Sequence, residues 1–496
     1  MSISKRPRPN VLLLLSDEQR YDTLGCTGRE HVSTPNIDRL AENGMLFENA
    51  FCTTPICTPS RASIFSGLYP HSHGMVANHQ MRPGCDQMLL RKDVKLIADY
   101  LKPAGYFCGY TGKWHLGSGY DRRGFSDFKA AHFNFDVDRP EENEIIQHAK
   151  KIGVEVTGRH QGGIAPDGEM FDEKIRYGPS RFGLADHPAS LMCDRAVEFI
   201  DHAASLDQPF MLVWSTHEPH PPWVCPEPFI SMYDSDEMIL PESLMDIYLL
   251  THLEDRLREG HARSVEQWNE GELRQMWAGY LGEVSFVDFL TGRIIAALHQ
   301  KNLFDNTLII FTSDHGELLG SHGFIYKGPF MFDELMRVPL VIVPPGWDGN
   351  PGRTQELVSL VDLMPTIMDY CGVEIPEELH GVSIASLTEG DAHPVREGLA
   401  GEYHSCSWAE DPLTPLRMWR TDDCKYIESQ NGISEFYDLV EDPDERNNKI
   451  NDLQCQGQIG KMQSALSGWL RNTGDTWPNV PRPPNGFLRT EPLPDF

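Results

Sequence analysis

The 496-residue chain has no apolar run approaching the ~20 residues that a membrane span needs. The longest candidate, Val11 to Leu15, is also too short for a signal-peptide core. The expected protein is soluble and cytoplasmic, with no membrane partner. Positive charge is scarce: 43 Lys and Arg stand against 73 Asp and Glu, a formal net charge of −30. A field of that sign repels phosphate backbones and excludes electrostatic binding to nucleic acid. A cysteine pairing pattern is missing too. The 11 Cys are odd in number and no Cys-x-x-Cys occurs, so neither a secreted disulfide framework nor a cysteine zinc site is expected. There is no internal repeat.

What remains is an ordinary folding composition, 40% apolar and 23% charged. Five short aliphatic runs read as buried parallel strands: Val11 to Leu15, Phe107 to Thr111, Phe210 to Ser215, Leu308 to Thr312 and Leu340 to Val343. Helices are expected between them. One lies in TPNIDRLAENG, with Thr34 as cap, Pro35 at the first position and Gly44 past the end. Others run near Leu191 to Ala204, Glu272 to His299 and Leu360 to Tyr370, with apolar residues three and four apart. The fold class is α/β, a large mostly parallel sheet with helices on both faces. A smaller C-terminal α+β unit follows, with short antiparallel strands at Met418 to Trp419, Lys425 to Glu428 and Glu435 to Leu439, and a helix near Gln458 to Leu470. The expected units are a catalytic domain at 1–385, the α+β subdomain at 386–475, entered through a loop at Thr388 to Glu397, and a proline-rich tail at 476–496. The tail is either frayed or an arm on another subunit, the second implying a homo-oligomer.

In a parallel sheet, ligands collect at the carboxyl ends of the strands. Ser16-Asp17-Glu18-Gln19-Arg20 follows the first run and Ser313-Asp314-His315-Gly316-Glu317 the fourth. If those strands are neighbours, Asp17, Glu18, Asp314 and His315 converge on an oxygen-rich cage with one nitrogen. Unrelieved carboxylates would repel by ~4 kcal/mol per pair at 4 Å and an effective dielectric of 20, so a divalent cation is expected. The plainer alternative is that each Asp caps a helix. A third feature is CTTPICTPSRASIFSG at 52–67. Pro59 and Ser60 open a helix that Gly67 can close, which puts Cys57 just before a helix N-terminus that favours an anion. A cysteine there is an activated thiolate, with Arg61 one turn in. A buried structural cysteine leaves the attached Pro-Ser-Arg unexplained.

With these residues in hand, the chain resembles the type I sulfatases of the alkaline phosphatase superfamily. CTPSR at 57–61 matches their C-x-P-S-R signature, and GYTGKWHLG, Gly109 to Gly117, matches their second one. The opening strand with Asp17, HEPHPP at 217–222, SDHGE with Asp314 and YKGP with Lys327 extend the likeness over most of the first 380 residues. The resemblance implies an alkaline phosphatase-like fold, and oxidation of Cys57 to formylglycine by a formylglycine-generating enzyme. The hydrated aldehyde is a gem-diol: one hydroxyl attacks sulfur, and the other collapses to expel sulfate by C–O cleavage. The same likeness places Asp17, Glu18, Asp314, His315 and the oxygen of residue 57 around one divalent metal. Glu18 and His315 depart from the Asp and Asn of many members. The family points to calcium, and the imidazole makes manganese next. Arg61 would orient the hydrate, and Lys113 and His115 would hold hydrate and substrate oxygens. His220 aligns better than His217, and with Lys327 it would protonate or stabilise the departing oxygen. Asn78 would reach the substrate.

The implied reaction is hydrolysis of a small anionic sulfate monoester, an arylsulfatase-like activity. The alternative is a phosphonate monoester hydrolase or phosphodiesterase with the same site. Lys113 and His115 favour the first reading and His315 the second. A two-metal phosphatase lacks an assignable second metal set, and a silent binding protein would keep Cys57 as a thiol. The alcohol stays open; Trp223 is a candidate pocket wall, with Tyr403, His404 and Trp408 behind it.

Overall fold

The computed structural model describes residues 8–29, 31–78, 90–117, 122–130, 144–154, 177–248, 263–347, 352–390, 394–404, 415–430 and 432–477. The principal elements begin with β1 (Asn10–Ser16), α1 (Pro35–Glu42), β2 (Met45–Phe51), α2 (Cys57–Ser66), β3 (Phe107–Gly112) and β4 (Asp127–Ala130). Next come α3 (Pro188–Ala203), β5 (Phe210–Ser215), α4 (Glu270–Gln300), β6 (Thr307–Ser313), β7 (Arg337–Val343), β8 (Gly352–Thr354) and α5 (Leu363–Tyr370). A second sheet and its helix close the series: β9 (Leu399–Tyr403), β10 (Leu416–Arg420), β11 (Cys424–Ser429), β12 (Glu435–Asp438) and α6 (Gln456–Thr473).

The large sheet has the order β8-β2-β7-β6-β1-β5-β3-β4, with Val358–Ser359 pairing β2 as a ninth strand. From β6 to β4 every pairing is parallel. β7 corrects the expectation for Leu340 to Val343, because it runs antiparallel to both β6 and β2. A strand buried on both faces is aliphatic whichever way it runs, so its composition carries no direction. β2 escapes the aliphatic criterion because the half-buried Glu48 and Asn49 interrupt it.

Alternate residues of β1 explain its continuous apolar run. Val11, Leu13 and Leu15 enter one core with Phe65 of α2 and Ile367 of α5; Leu12 and Leu14 enter the other with Phe199 of α3 and Val284 of α4. All five are fully buried, each such leucine stabilising the fold by about 1.5–3 kcal/mol. The antiparallel sheet β9-β10-β11-β12 continues the first core through Leu399, Tyr403, Met418 and Ile427. Its other face packs Tyr426 and Phe436 under Ile459, Met462 and Leu466 of α6. The tail beyond 477, Trp408 and residues 391–393 of the expected loop lie outside the described residues.

Helix ends follow local chemistry with two departures. Pro35 opens α1, but Thr34 does not cap it; its hydroxyl donates to Asp38 Oδ1 at 3.0 Å and accepts from Gly25 N at 2.9 Å. Cys57 is the first residue of α2 rather than the residue before it, and Gly67, at φ 66°, closes that helix in the left-handed conformation. Among the described residues no helix is long and apolar enough to cross a membrane.

Register delivers the site. Ser16 pairs with Ser313, Leu15 with Ser215, and Gly112 with the same Ser215. Four parallel strands thus end level, and just past their ends stand Asp17-Glu18, Asp314-His315, Lys113-Trp114-His115 and the loop bearing His217 and His220.

Candidate active site

Asp17, Cys57, Asp314 and His315 each bring a donor atom within 4.8 Å of the others. All four are at most 1% exposed. Asp314 is fixed on both oxygens: Oδ1 accepts from Glu18 N at 3.1 Å and His315 N at 2.9 Å, and Oδ2 accepts from Arg61 Nε at 2.7 Å. Arg61 also reaches the Lys113 carbonyl at 3.1 Å and Ser215 Oγ at 2.8 Å. His315 Nδ1–H donates to Gly316 O at 2.8 Å, which turns Nε2 toward Cys57 Sγ at 3.1 Å. A backbone carbonyl fixing one ring nitrogen so that the other faces a metal is the usual arrangement for a ligating histidine. Asp17 Oδ1 is buried with no hydrogen-bond partner. These donors therefore fit one divalent cation, in a mixed oxygen and nitrogen set.

Glu18 stands outside that group of four. Its Oε2 is held by Lys327 Nζ at 2.5 Å and His220 Nε2 at 3.2 Å, and only Oε1, buried and without a partner, is open to a further ligand. Lys113 Nζ hydrogen-bonds Asp17 Oδ2. His217 and His220 also come within 4.8 Å of Asp17, whose Oδ2 is already held by the Lys113 ammonium. His115 is hydrogen-bonded to Cys57. Asn78 sits at the start of α2, where its Oδ1 accepts from Thr58 N at 3.1 Å. The expected residues thus meet at one pocket. Sequence reasoning set His217 aside in favour of His220, and it missed Ser215 and Tyr280. The Tyr280 hydroxyl, from α4, donates to Glu18 O at 2.9 Å and accepts from Arg20 N at 2.8 Å. No motif marks Tyr280, which is one aromatic residue on a long helix.

Charge in the pocket is balanced residue against residue. Burial opposes a thiolate at Cys57, but Lys113, Lys327 and His315 bring its pKa well below the usual thiol value. Burial likewise opposes the Asp17 carboxylate, which Lys113, His220 and Arg61 hold ionised with a lowered pKa. Asp314 is pushed up by burial and by Asp17, against Arg61. Burial raises Glu18 to about 7 despite Lys327 and His220, and lowers His115 to about 4. His315 rises to about 9, burial being outweighed by Asp314 and Cys57. Strain concentrates here as well: Glu18, His115, Leu319, His322 and Tyr326 all have positive φ, a conformation that persists only where the surroundings over-determine it.

A parallel α/β sheet that gathers one acidic cation pocket, an activated position at a helix start and several fixed cations around it defines a metal-assisted hydrolase of small tetrahedral anions. The comparisons with known proteins narrow the class. The sulfatase family model matches residues 9–373, and the model described as N-sulphoglucosamine sulphohydrolase, C-terminal, matches residues 320–471. The uncharacterized sulfatase YidJ of Escherichia coli is 31% identical over 474 residues, 94% of this chain and 88% of that one. An arylsulfatase of Clostridium perfringens is 29% identical over 487 residues, covering 92% and 94%. The crystal structure of a phosphonate monoester hydrolase of Agrobacterium radiobacter has a TM-score of 0.77 at 24% identity over 94% of this chain and 96% of that one, a likeness of fold. The chain belongs to the sulfatase family, enzymes that hydrolyse sulfuric esters.

Proposed function

We propose that the chain hydrolyses sulfate monoesters, R–O–SO3⁻ plus water giving R–OH and sulfate, with residue 57 as nucleophile after conversion of Cys57 to formylglycine. The carrying observation is the setting of Cys57: first residue of a helix, surrounded by Lys113, Lys327 and His315, and beside a carboxylate oxygen of Asp17 that has no partner. Formylglycine supplies, as its hydrate, one hydroxyl to attack sulfur and a second to release sulfate. One divalent cation, calcium first and manganese next, supplies charge neutralisation at the sulfuryl oxygens when held by Asp17, Asp314, His315 and residue 57, with Glu18 able to add only Oε1.

The chain's own groups divide the remaining work. Arg61 holds Asp314 and the Lys113 carbonyl and so fixes the floor of the pocket. His115, kept neutral by burial and hydrogen-bonded to residue 57, is placed to hold hydrate and substrate oxygens. Lys113 and Lys327 face the anionic oxygens, and only the NH2 of Asn78 remains for a substrate oxygen. His220 is suited to the departing oxygen. Its Nδ1 lies 2.7 Å from Pro221 O and its Nε2 3.2 Å from Glu18 Oε2, so Nε2 is the ring nitrogen on the side of Glu18 and Lys327. A formylglycine-generating enzyme is the maturation partner of this reading, and the proline-rich tail supports a homo-oligomer.

Phosphonate monoester or phosphodiester hydrolysis is the second reading, favoured by the Asp314-His315 pair. Kinetics with a matched aryl sulfate and aryl phosphonate monoester test the choice. A higher kcat/KM for the sulfate is expected; strong preference for the phosphonate overturns it.

A further inference from the structure

Lys327 is delivered to the pocket by a loop, residues 317–327, whose backbone is unusually strained: Leu319, His322 and Tyr326 have φ of 44°, 57° and 68°. Something must hold that loop in one shape. Glu317, fully buried, does so with a single oxygen. Its Oε1 accepts from Leu319 N at 2.9 Å at one end of the loop and from Tyr326 N at the other. The Tyr326 carbonyl in turn accepts from Leu318 N at 3.4 Å, so both backbone polar groups of the residue before Lys327 are tied to the 317–319 turn. Gly320 N to Phe324 O, 2.7 Å, closes the loop inside this clasp. Arg20, three residues after Asp17, pins the same turn to the metal side by donating to Glu317 O, Leu318 O and Ser321 Oγ at 3.0–3.1 Å. Outside the clasp the loop pairs at Phe324–Ile325 with Arg263–Ser264 and is held at Glu317 N by Glu334 O, 3.1 Å, and at His322 N by Ser243 Oγ, 3.0 Å.

From this geometry we infer that Glu317 is a positioning residue for the leaving-group side of the site: it sets where the Lys327 ammonium stands without touching substrate. The inference rests on the sulfatase reading and on Lys327 facing the departing oxygen. It deepens that reading, because Glu317 then governs how poor a leaving group the enzyme accepts.

The test is the dependence of kcat/KM on phenol pKa across a series of aryl sulfates, with bound metal measured in parallel. Lys327→Ala steepens the slope, since a poor leaving group needs the cation most. Glu317→Ala steepens it in the same sense, by about 10-fold between 4-nitrophenyl and phenyl sulfate, with metal content unchanged. Glu317→Gln keeps the carbonyl acceptor and restores the wild-type slope. In a Lys327→Ala background Glu317→Ala adds no further slope. If Glu317→Ala does not fold, Glu317→Asp, which withdraws the acceptor by one methylene, carries the same expectation. A uniform loss across all leaving groups, or Gln as damaging as Ala, overturns the inference. A flat response to Lys327→Ala instead overturns the leaving-group role of Lys327 and the inference with it. Steepening by Lys327→Ala with none from Glu317→Ala or Glu317→Asp overturns the clasp alone.

Discussion

Among the described residues, carboxylates and histidines approach closely enough to hold a cation in two separate regions, and the two differ in completeness. One is the strand-end pocket of Asp17, Asp314 and His315. The other, His71, Glu402 and Asp475, joins the short helix Pro70–His73 to β9 and the chain just after α6. At that junction every carboxylate oxygen has a partner. Glu402 Oε1 meets His71 Nδ1 at 2.5 Å, and Oε2 accepts from His71 N at 3.1 Å and pairs with His404 Nε2 at 2.8 Å. Asp475 receives Arg417 Nε at 2.6 Å on Oδ2, and Arg417 Nη2 at 3.3 Å and Trp477 N at 3.2 Å on Oδ1. The guanidinium of Arg417 supplies the positive charge there, bonded to Asp475 and 3.9 Å from Glu402 Oε2. In the strand-end pocket Asp17 Oδ1, Glu18 Oε1 and Arg61 Nη2 have no partner although buried. A network whose carboxylates are all paired fastens the Pro70–His73 helix to the C-terminal sheet, whereas an open one, costly to maintain, awaits a cation and an anion. His404 and Tyr403, candidates for specificity on sequence grounds, fall at or beside this second cluster, His404 pairing with Glu402.

The two clusters should therefore fail differently. Cys57→Ala is expected to lower kcat/KM for an aryl sulfate by on the order of 10⁴-fold or more while thermal unfolding is nearly unchanged; appreciable turnover would refute the nucleophile. Arg417→Met leaves Glu402 and Asp475 buried without their cation and should cost about 3–5 kcal/mol of stability in denaturant unfolding, with kcat/KM of the folded fraction close to wild type. Lys113→Ala should act chiefly on turnover, with a loss of about 10²–10³-fold in kcat, while also leaving the buried Asp17 without its cation partner. The smallest effect is in pH. Burial opposes charge on His71, but Glu402 and Asp475 raise its pKa above 6.5, so its stabilising contribution is full below pH 6.5 and fades as pH rises through the folded-state value. The Tm difference between wild type and His71→Gln should shrink across that window. A pH-independent difference would show that the His71 charge plays no part.

The contrast also marks what was legible in the sequence. β1, β5 and β6 are continuous apolar runs buried on both faces and β3 is a short buried run of mixed small and aromatic residues; their ends carry Asp17, His217, Asp314 and Lys113, so strand and site were read together. β7 kept its composition and hid its direction. β2 and β9, with Glu48 and Glu402 inside them, did not look like buried strands. The cation pocket was readable because each ligand follows a strand. The partners of Glu18 and the Tyr280 bridge were not, since each depends on residues hundreds of positions apart being folded side by side; the Glu317 clasp is local, but it depends on a loop shape that no spacing announces. Glu402 and Arg417 illustrate the same limit: isolated charges in short strands, they gain meaning only as a pair.

The central claim is that residue 57 becomes the nucleophile of a sulfuric ester hydrolase. Its most direct test is the mass of the peptide containing residue 57, taken from protein made in its native cell. Formylglycine makes that peptide about 18 Da lighter than the cysteine form, and the lighter peptide should rise and fall with aryl sulfatase activity across preparations. Full activity from protein whose residue 57 is wholly an unmodified thiol would contradict it.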